Sequence, residues 1–236
     1  MKLFPVICRA LLFLPALAGA CAVLVHIFFP PLLFAPRREY DLELRFALTT
    51  PLPEHSSHEE NTLDDVPEQF RALITAKAAR YHLPPELIAA IIARENNFDP
   101  RCTAPDGGKG LMQLMPSVCR EQKCADPFDP ESNVESGTAH LASLYKYFSS
   151  VPDPEERIKF ALAAYNGGAG HVLDARLLAR KLKLDPDKWQ GNVEEALQFL
   201  KFRSFWKSAR HGYCNADIVV NYVNSVLALA ERFKNK

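Results

Sequence analysis

The stretch 85–95, PELIAAIIARE, constrains this chain more than any other. Ile88, Ile91, Ile92 and Glu95 fall at i, i+3, i+4 and i+7, the spacing of one helix face, and Pro85 suits a first helical turn. A carboxyl that shares a face with three isoleucines is partly withdrawn from water. Desolvation penalises its charged form and raises its pKa, which is what a general acid needs near neutral pH. The alternative is that Glu95 turns outward at the last helical turn and pairs with Arg94 or Arg101. The run by itself therefore predicts a helix and leaves the role of its carboxyl open.

The chain around it reads as further helices. Phe70, Leu73, Ile74, Ala78 and Tyr81 mark one face after Pro67, and His82-Leu83-Pro84-Pro85 breaks that helix. A helix is predicted from about Glu131 to Phe148, with Ala139, Leu141, Ala142, Tyr145 and Phe148 as core. Another is predicted over 155–165, with Ile158, Leu162 and Tyr165 on one side, stopping at Tyr165-Asn166-Gly167-Gly168. Between these lies Asp106-Gly107-Gly108-Lys109-Gly110, which can bring backbone close to a ligand. A helix is expected to open near Leu111, with Gln113 as a polar hook. With only ten glycines and few β-branched runs, the fold class is mainly α.

The N-terminus speaks to compartment. Lys2 and Arg9 precede an apolar stretch that runs from Ala10 to Ala35 without a full charge. It is long enough to cross a bilayer, and it contains Ala18-Gly19-Ala20-Cys21, which resembles a processing site. Two readings stand: an uncleaved signal anchor, which the apolar continuation after Cys21 favours, or an outer-membrane lipoprotein attached through Cys21. Both put the rest of the chain outside the cytoplasm. Residues 36–65 are polar, acidic and proline-bearing and read as a linker, although 40–46 alternates like a strand. His55 and His58 have no further ligand nearby and read as solvated loop rather than a metal site. The domain expectation is thus 1–35 as signal anchor or signal peptide, 36–65 as linker and 66–236 as one helical domain. Lys plus Arg and Asp plus Glu are both 28, so no basic footprint suggests nucleic acid as a partner. No metal and no cofactor is expected. Cys102, Cys119, Cys124 and Cys214 lie in the folded part, and their pairing is left open among three connectivities.

Three ordered motifs resemble a known family. Glu95 followed by Asn-Phe-Asp-Pro, then Gly110-Leu111-Met112-Gln113, then Ala164-Tyr165-Asn166-Gly167-Gly168, is similar to the lysozyme-like catalytic domain of the soluble-lytic-transglycosylase (SLT) family. The match runs from about Val66 to Phe233. The stretch Gly170-His171-Val172-Leu173-Asp174-Ala175-Arg176, with Trp189 and Gly212-Tyr213-Cys214, resembles more narrowly the catalytic half of membrane-bound lytic murein transglycosylases of type F. In that type a periplasmic solute-binding-like domain precedes the catalytic one; here only 36–65 stands in its place.

The resemblance implies an enzyme that cleaves the β-1,4 bond between N-acetylmuramic acid and N-acetylglucosamine in peptidoglycan glycan strands, leaving 1,6-anhydro ends. It implies Glu95 as the catalytic acid and base. Met112 and Gln113 would contact sugar, Tyr165 and Asn166 would orient Glu95 and bind saccharide, and Tyr222 would hydrogen-bond the Glu95 carboxyl. Asn96 departs from the family's usual serine and is expected to keep a contact to substrate or to the residues behind it. Cys119 and Cys124 are close enough in sequence for a local disulfide, with Cys102 then left for Cys214, or all four stay reduced. The implied place is the periplasmic side of a bacterial envelope, anchored to the inner membrane, with membrane and glycan as partners. A goose-type hydrolytic muramidase and a non-catalytic peptidoglycan-binding protein are the alternatives.

Overall fold

Residues 87–92 are all buried, so the central helix is enclosed on every side rather than apolar along one stripe. The computed structural model describes residues 63–234. The expected signal anchor, most of the linker and the alternating stretch 40–46 lie outside the described residues. Those that are described belong to the compact unit Glu59–Lys236.

The helices, in order, are α1 (Glu68–Arg80), α2 (Pro85–Asn96), α3 (Pro116–Glu121), α4 (Pro130–Tyr147), α5 (Pro154–Gly167), α6 (Ala169–Lys181), α7 (Glu194–Phe199), α8 (Arg203–Trp206) and α9 (Ala216–Lys234). A short 3-10 turn over Leu63–Asp65 precedes α1. The fold is mainly helical, and extended pairing among the described residues is limited to the bridges Thr103 with Lys109 and Lys109 with Leu114. Helix boundaries follow local chemistry. α2, α4 and α5 each begin with proline in the first turn, where its missing N–H costs nothing. Asp129 and Asp153 cap α4 and α5, accepting from the backbone N–H groups of Ser132 at 2.8 Å and Glu155 at 2.9 Å.

Packing centres on α2. The amphipathic α9 lies along it and also against α5, while α1 covers α2 and α4. Ile88, Ile91, Ile92, Leu162, Val223 and Val226 are all fully buried in this core. α5 stops because Gly168 takes φ +88, outside helical backbone, and α6 starts directly after it. Leu141 and Phe148 are buried as expected, whereas Ala139, Ala142 and Tyr145 are half-buried. α4 instead buries Asn133, Ser136, Gly137 and Thr138 on its first half, a polar patch that apolar periodicity does not register. Among the described residues no helix is long and apolar enough to cross a membrane.

The helix expected to open near Leu111 is not there. Residues 110–113 form a tight turn, closed by hydrogen bonds from Lys109 N to Leu114 O at 3.2 Å and from Leu114 N to Lys109 O at 3.0 Å. Gly110 at φ +70 and Gln113 at φ +48 are both left-handed, which an α-helix cannot accommodate, and the helix begins only at Pro116. Gly110 is required twice over. A Cβ there would lie 2.0 Å from the Pro127 carbonyl and 2.4 Å from Asn133 Nδ2.

Candidate active site

Glu95 sits in the last turn of α2, just before the helix ends at Asn97 in left-handed conformation. The side chain is half-buried, and its carboxyl is pushed up from 4.5 to about 7. Burial is the main cause. The Tyr222 hydrogen bond and the Arg94 charge pull the other way, and the Asp106 carboxylate adds to the rise. The Tyr222 hydroxyl donates to Glu95 Oε1 at 2.9 Å. Tyr222 is itself buried on α9, its phenol held well above the ordinary range by burial and by the Glu95 charge. The Arg94 guanidinium lies over the Tyr222 ring, 6.0 Å from its centroid.

Tyr165 also reaches this region, and the Glu95 charge helps burial raise its phenol pKa. Its hydroxyl, however, donates to the Met112 carbonyl at 2.8 Å rather than to Glu95. Tyr165 therefore ties the 110–113 turn to α5, and orientation of the Glu95 carboxyl falls to Tyr222. Asn166, next in the chain, is exposed at the end of α5.

The 110–113 turn is held from three directions, each through backbone. Asn96 Nδ2 donates to Gly110 O at 2.6 Å and to Leu111 O at 3.2 Å, while its Oδ1 accepts from Asp99 N at 3.1 Å. Both ends of the Asn96 amide thus have partners inside the protein, and the side chain clips the turn to the end of α2. Asn133, fully buried on α4, accepts from Met112 N at 2.8 Å and donates to Lys109 O at 3.0 Å and Pro127 O at 2.7 Å. Tyr165 supplies the third anchor.

Met112 differs from its expected role. The residue is fully buried, with Thr138 Oγ1 at 3.9 Å from its sulfur and Gly137 so close that a Cβ there would lie 2.4 Å from that sulfur. Its side chain is a core plug that seats the turn and offers no surface to a ligand. Gln113 is half-buried: Nε2 donates to Gly110 O at 2.8 Å and Cys102 O at 3.4 Å, and its buried Oε1 has no hydrogen-bond partner among the described residues.

Two residues at this site carried no motif in the sequence. Asn133 is one. His140 is the other, its ring tilted against Tyr165 at 5.6 Å between centroids and its pKa lowered by burial. An asparagine or histidine inside a helix gives no periodic signal, and only the arrival of Met112 and Tyr165 from elsewhere in the chain gives these two a task.

A mainly helical domain with a half-buried glutamate, a tyrosine holding its carboxyl and a clipped polar turn beside it defines a class. Residues 72–187 match the Transglycosylase SLT domain, and the chain belongs to that family. It is 38% identical over 168 residues to membrane-bound lytic murein transglycosylase F of Desulfosudis oleivorans, covering 71% of this chain and 37% of that protein. The protein of the same name in Haemophilus influenzae is 32% identical over 166 residues, covering 70% of this chain and 34% of the relative. The chain thus spans little more than a third of the length of these curated relatives. Among solved structures, lytic transglycosylase Slt of Pseudomonas aeruginosa, crystallised as an inactive mutant, matches 82% of this chain and 28% of its own at 24% identity, with a TM-score of 0.52. The 70 kDa soluble lytic transglycosylase of Escherichia coli matches 73% of this chain and 25% of its own at 23% identity and a TM-score of 0.50. These likenesses establish the lysozyme-like helical fold.

Proposed function

We propose that this chain is a peptidoglycan lytic transglycosylase in which Glu95 serves as acid and then as base. The observation that carries the reading is a carboxyl with a pKa of about 7 whose Oε1 accepts from Tyr222 at 2.9 Å, in a domain of the SLT family. Protonated Glu95 gives its proton to the glycosidic oxygen between N-acetylmuramic acid and N-acetylglucosamine as that bond breaks. The resulting carboxylate is stabilised by the Tyr222 hydroxyl. It then takes the proton from the muramoyl 6-hydroxyl as that oxygen closes on the anomeric carbon, leaving a 1,6-anhydro end. One group performs both transfers because its pKa lies close to the working pH.

The muramoyl N-acetyl group supports the developing charge, so the second carboxylate of most glycosidases is not required. Gln113 and Asn166 bind saccharide, and the Asn96, Asn133 and Tyr165 contacts hold the Gln113 turn for that purpose. The enzyme works on the periplasmic side of a bacterial envelope, with residues 1–35 anchoring it to the inner membrane and 36–65 as tether.

A hydrolytic reading draws on one observation: the charge of Asp106 reaches Glu95. A hydrolase would use such a carboxylate to activate water. Against this, Asp106 Oδ1 already accepts from Gly108 N at 3.2 Å within its own loop. Digestion of purified sacculi, with products identified by mass, separates the readings. Anhydro-muramoyl ends that persist in Asp106→Asn support the transglycosylase. Reducing ends, lost in that variant, support the hydrolase. No release of fragments by the native protein overturns both.

A further inference from the structure

The C-terminus of α3 is closed by a Schellman turn. Cys124 N donates to Cys119 O at 2.8 Å and Lys123 N to Arg120 O at 3.4 Å, with Lys123 between them in left-handed conformation at φ +56. These are the 6→1 and 5→2 bonds of that motif. It ordinarily brings a pair of apolar side chains into contact, one from the last full turn of the helix and one from the residue after the left-handed position. Here both positions are cysteine.

In the structure both are free thiols, and Cys124 Sγ lies 3.5 Å from Ser132 Oγ on the neighbouring helix. Burial, together with the neighbouring Cys124 thiol, pushes the Cys119 thiol up to about 11. Both residues are half-buried and pack on the core, so a small disulfide reagent has access to them. Cys214 is different: it is buried, its thiol is raised by burial with no other thiol contributing, and its backbone joins Leu200. Among the possible partners of Cys119, the backbone of this turn therefore brings up Cys124.

We propose that Cys119 and Cys124 form a disulfide that staples the end of α3. A helix of six residues with no side-chain N-cap has little stability of its own. The segment after it supplies the Pro127 carbonyl to Asn133, which in turn holds Met112. The staple thus braces the support of the Gln113 turn. It forms by thiol–disulfide exchange with a low-molecular-weight or protein disulfide. One cysteine, having released its proton, attacks a sulfur of the oxidant and expels one thiol. The second cysteine, also deprotonated, displaces the other, so two electrons pass to the oxidant and its S–S bond is cleaved. The inference rests on the turn geometry and is independent of the proposed activity.

The test uses the full chain, reduced, freed of reductant and equilibrated with oxidised glutathione. Free thiols are then alkylated in denaturant, and the chain is digested with trypsin. Cleavage after Lys109, Arg120, Lys123 and Lys146 leaves Cys119 and Cys124 on separate peptides, 110–120 and 124–146. The expected product is these two joined, lighter than their sum by two hydrogens. In parallel, reductant lowers Tm by about 5 °C in the native chain and not in the Cys119→Ala/Cys124→Ala variant. Alkylation of both cysteines, pairing of either with Cys102 or Cys214, or a Tm insensitive to reductant overturns the proposal.

Discussion

The Tyr222 hydroxyl donates a 2.9 Å hydrogen bond to the carboxyl of Glu95, joining the long C-terminal helix to the end of the central one. The bond favours the charged carboxylate and opposes the burial that raises its pKa. Tyr222→Phe removes that brake with almost no change in volume. The Glu95 pKa then moves further up, and the alkaline limb of the rate profile, where the acid form is lost, moves with it. The check is kcat and kcat/KM for glycan cleavage between pH 5 and 9. A limb that stays in place or moves to lower pH removes Tyr222 from the control of Glu95.

Glu95→Gln keeps the size and loses the proton transfer. Cleavage is expected to fall by at least about a hundredfold, measured by release of soluble fragments from sacculi. Stability should move the other way at neutral pH. Because the folded carboxyl titrates at about 7 against 4.5 for a glutamate side chain in water, its stabilising contribution is complete below about pH 4.5. That contribution is lost as pH rises through about 7. The amide variant escapes this loss. Its Tm relative to the native chain should rise between pH 4.5 and 8, as read by thermal unfolding across buffers.

Asn133→Ala leaves the buried Met112 N–H and the Pro127 carbonyl without their partner. Stability should drop by about 3 kcal/mol in urea unfolding, since each unsatisfied group costs roughly 1–3 kcal/mol. The same substitution should raise KM through the displaced Gln113 turn. A loss below about 0.5 kcal/mol would mean that the turn finds its support elsewhere.

Asn96→Ser restores the residue that the SLT pattern usually has after its glutamate, but a serine hydroxyl is too short to reach both Gly110 O and Leu111 O as the Asn96 amide does. A loss of about 1–2 kcal/mol in stability is expected, with kcat lowered less than in any Glu95 variant. Urea unfolding and initial rates on the same preparations make the comparison. Unchanged stability would show that the clip is dispensable.

Much of this architecture is local and was legible residue by residue. Pro85 opens α2, Gly168 closes α5, and Phe70, Ile74 and Ala78 form the buried face of α1 because propensity and period act over a few neighbours. The 110–113 turn was not legible in that way. Leu111 and Met112 look like the apolar start of a helix, yet two left-handed residues and two backbone bonds across the turn prevent one. Asn133, which holds this turn, comes from α4 and shows nothing in its own neighbourhood of what it serves.

By itself the sequence determined a mainly helical chain, a glutamate at the end of an apolar helix, and the ordered motifs around Glu95, Gln113 and Tyr165. These follow from short-range backbone preference and residue identity. Only the tertiary structure decided what each motif residue does: Tyr222 reaches Glu95, Tyr165 reaches Met112 O, Asn96 faces backbone, and Met112 is enclosed. The physical reason is that desolvation and hydrogen bonding depend on which groups the packing of α2, α5 and α9 brings together. The pKa of Glu95 therefore belongs to the packed core and to no single stretch of chain.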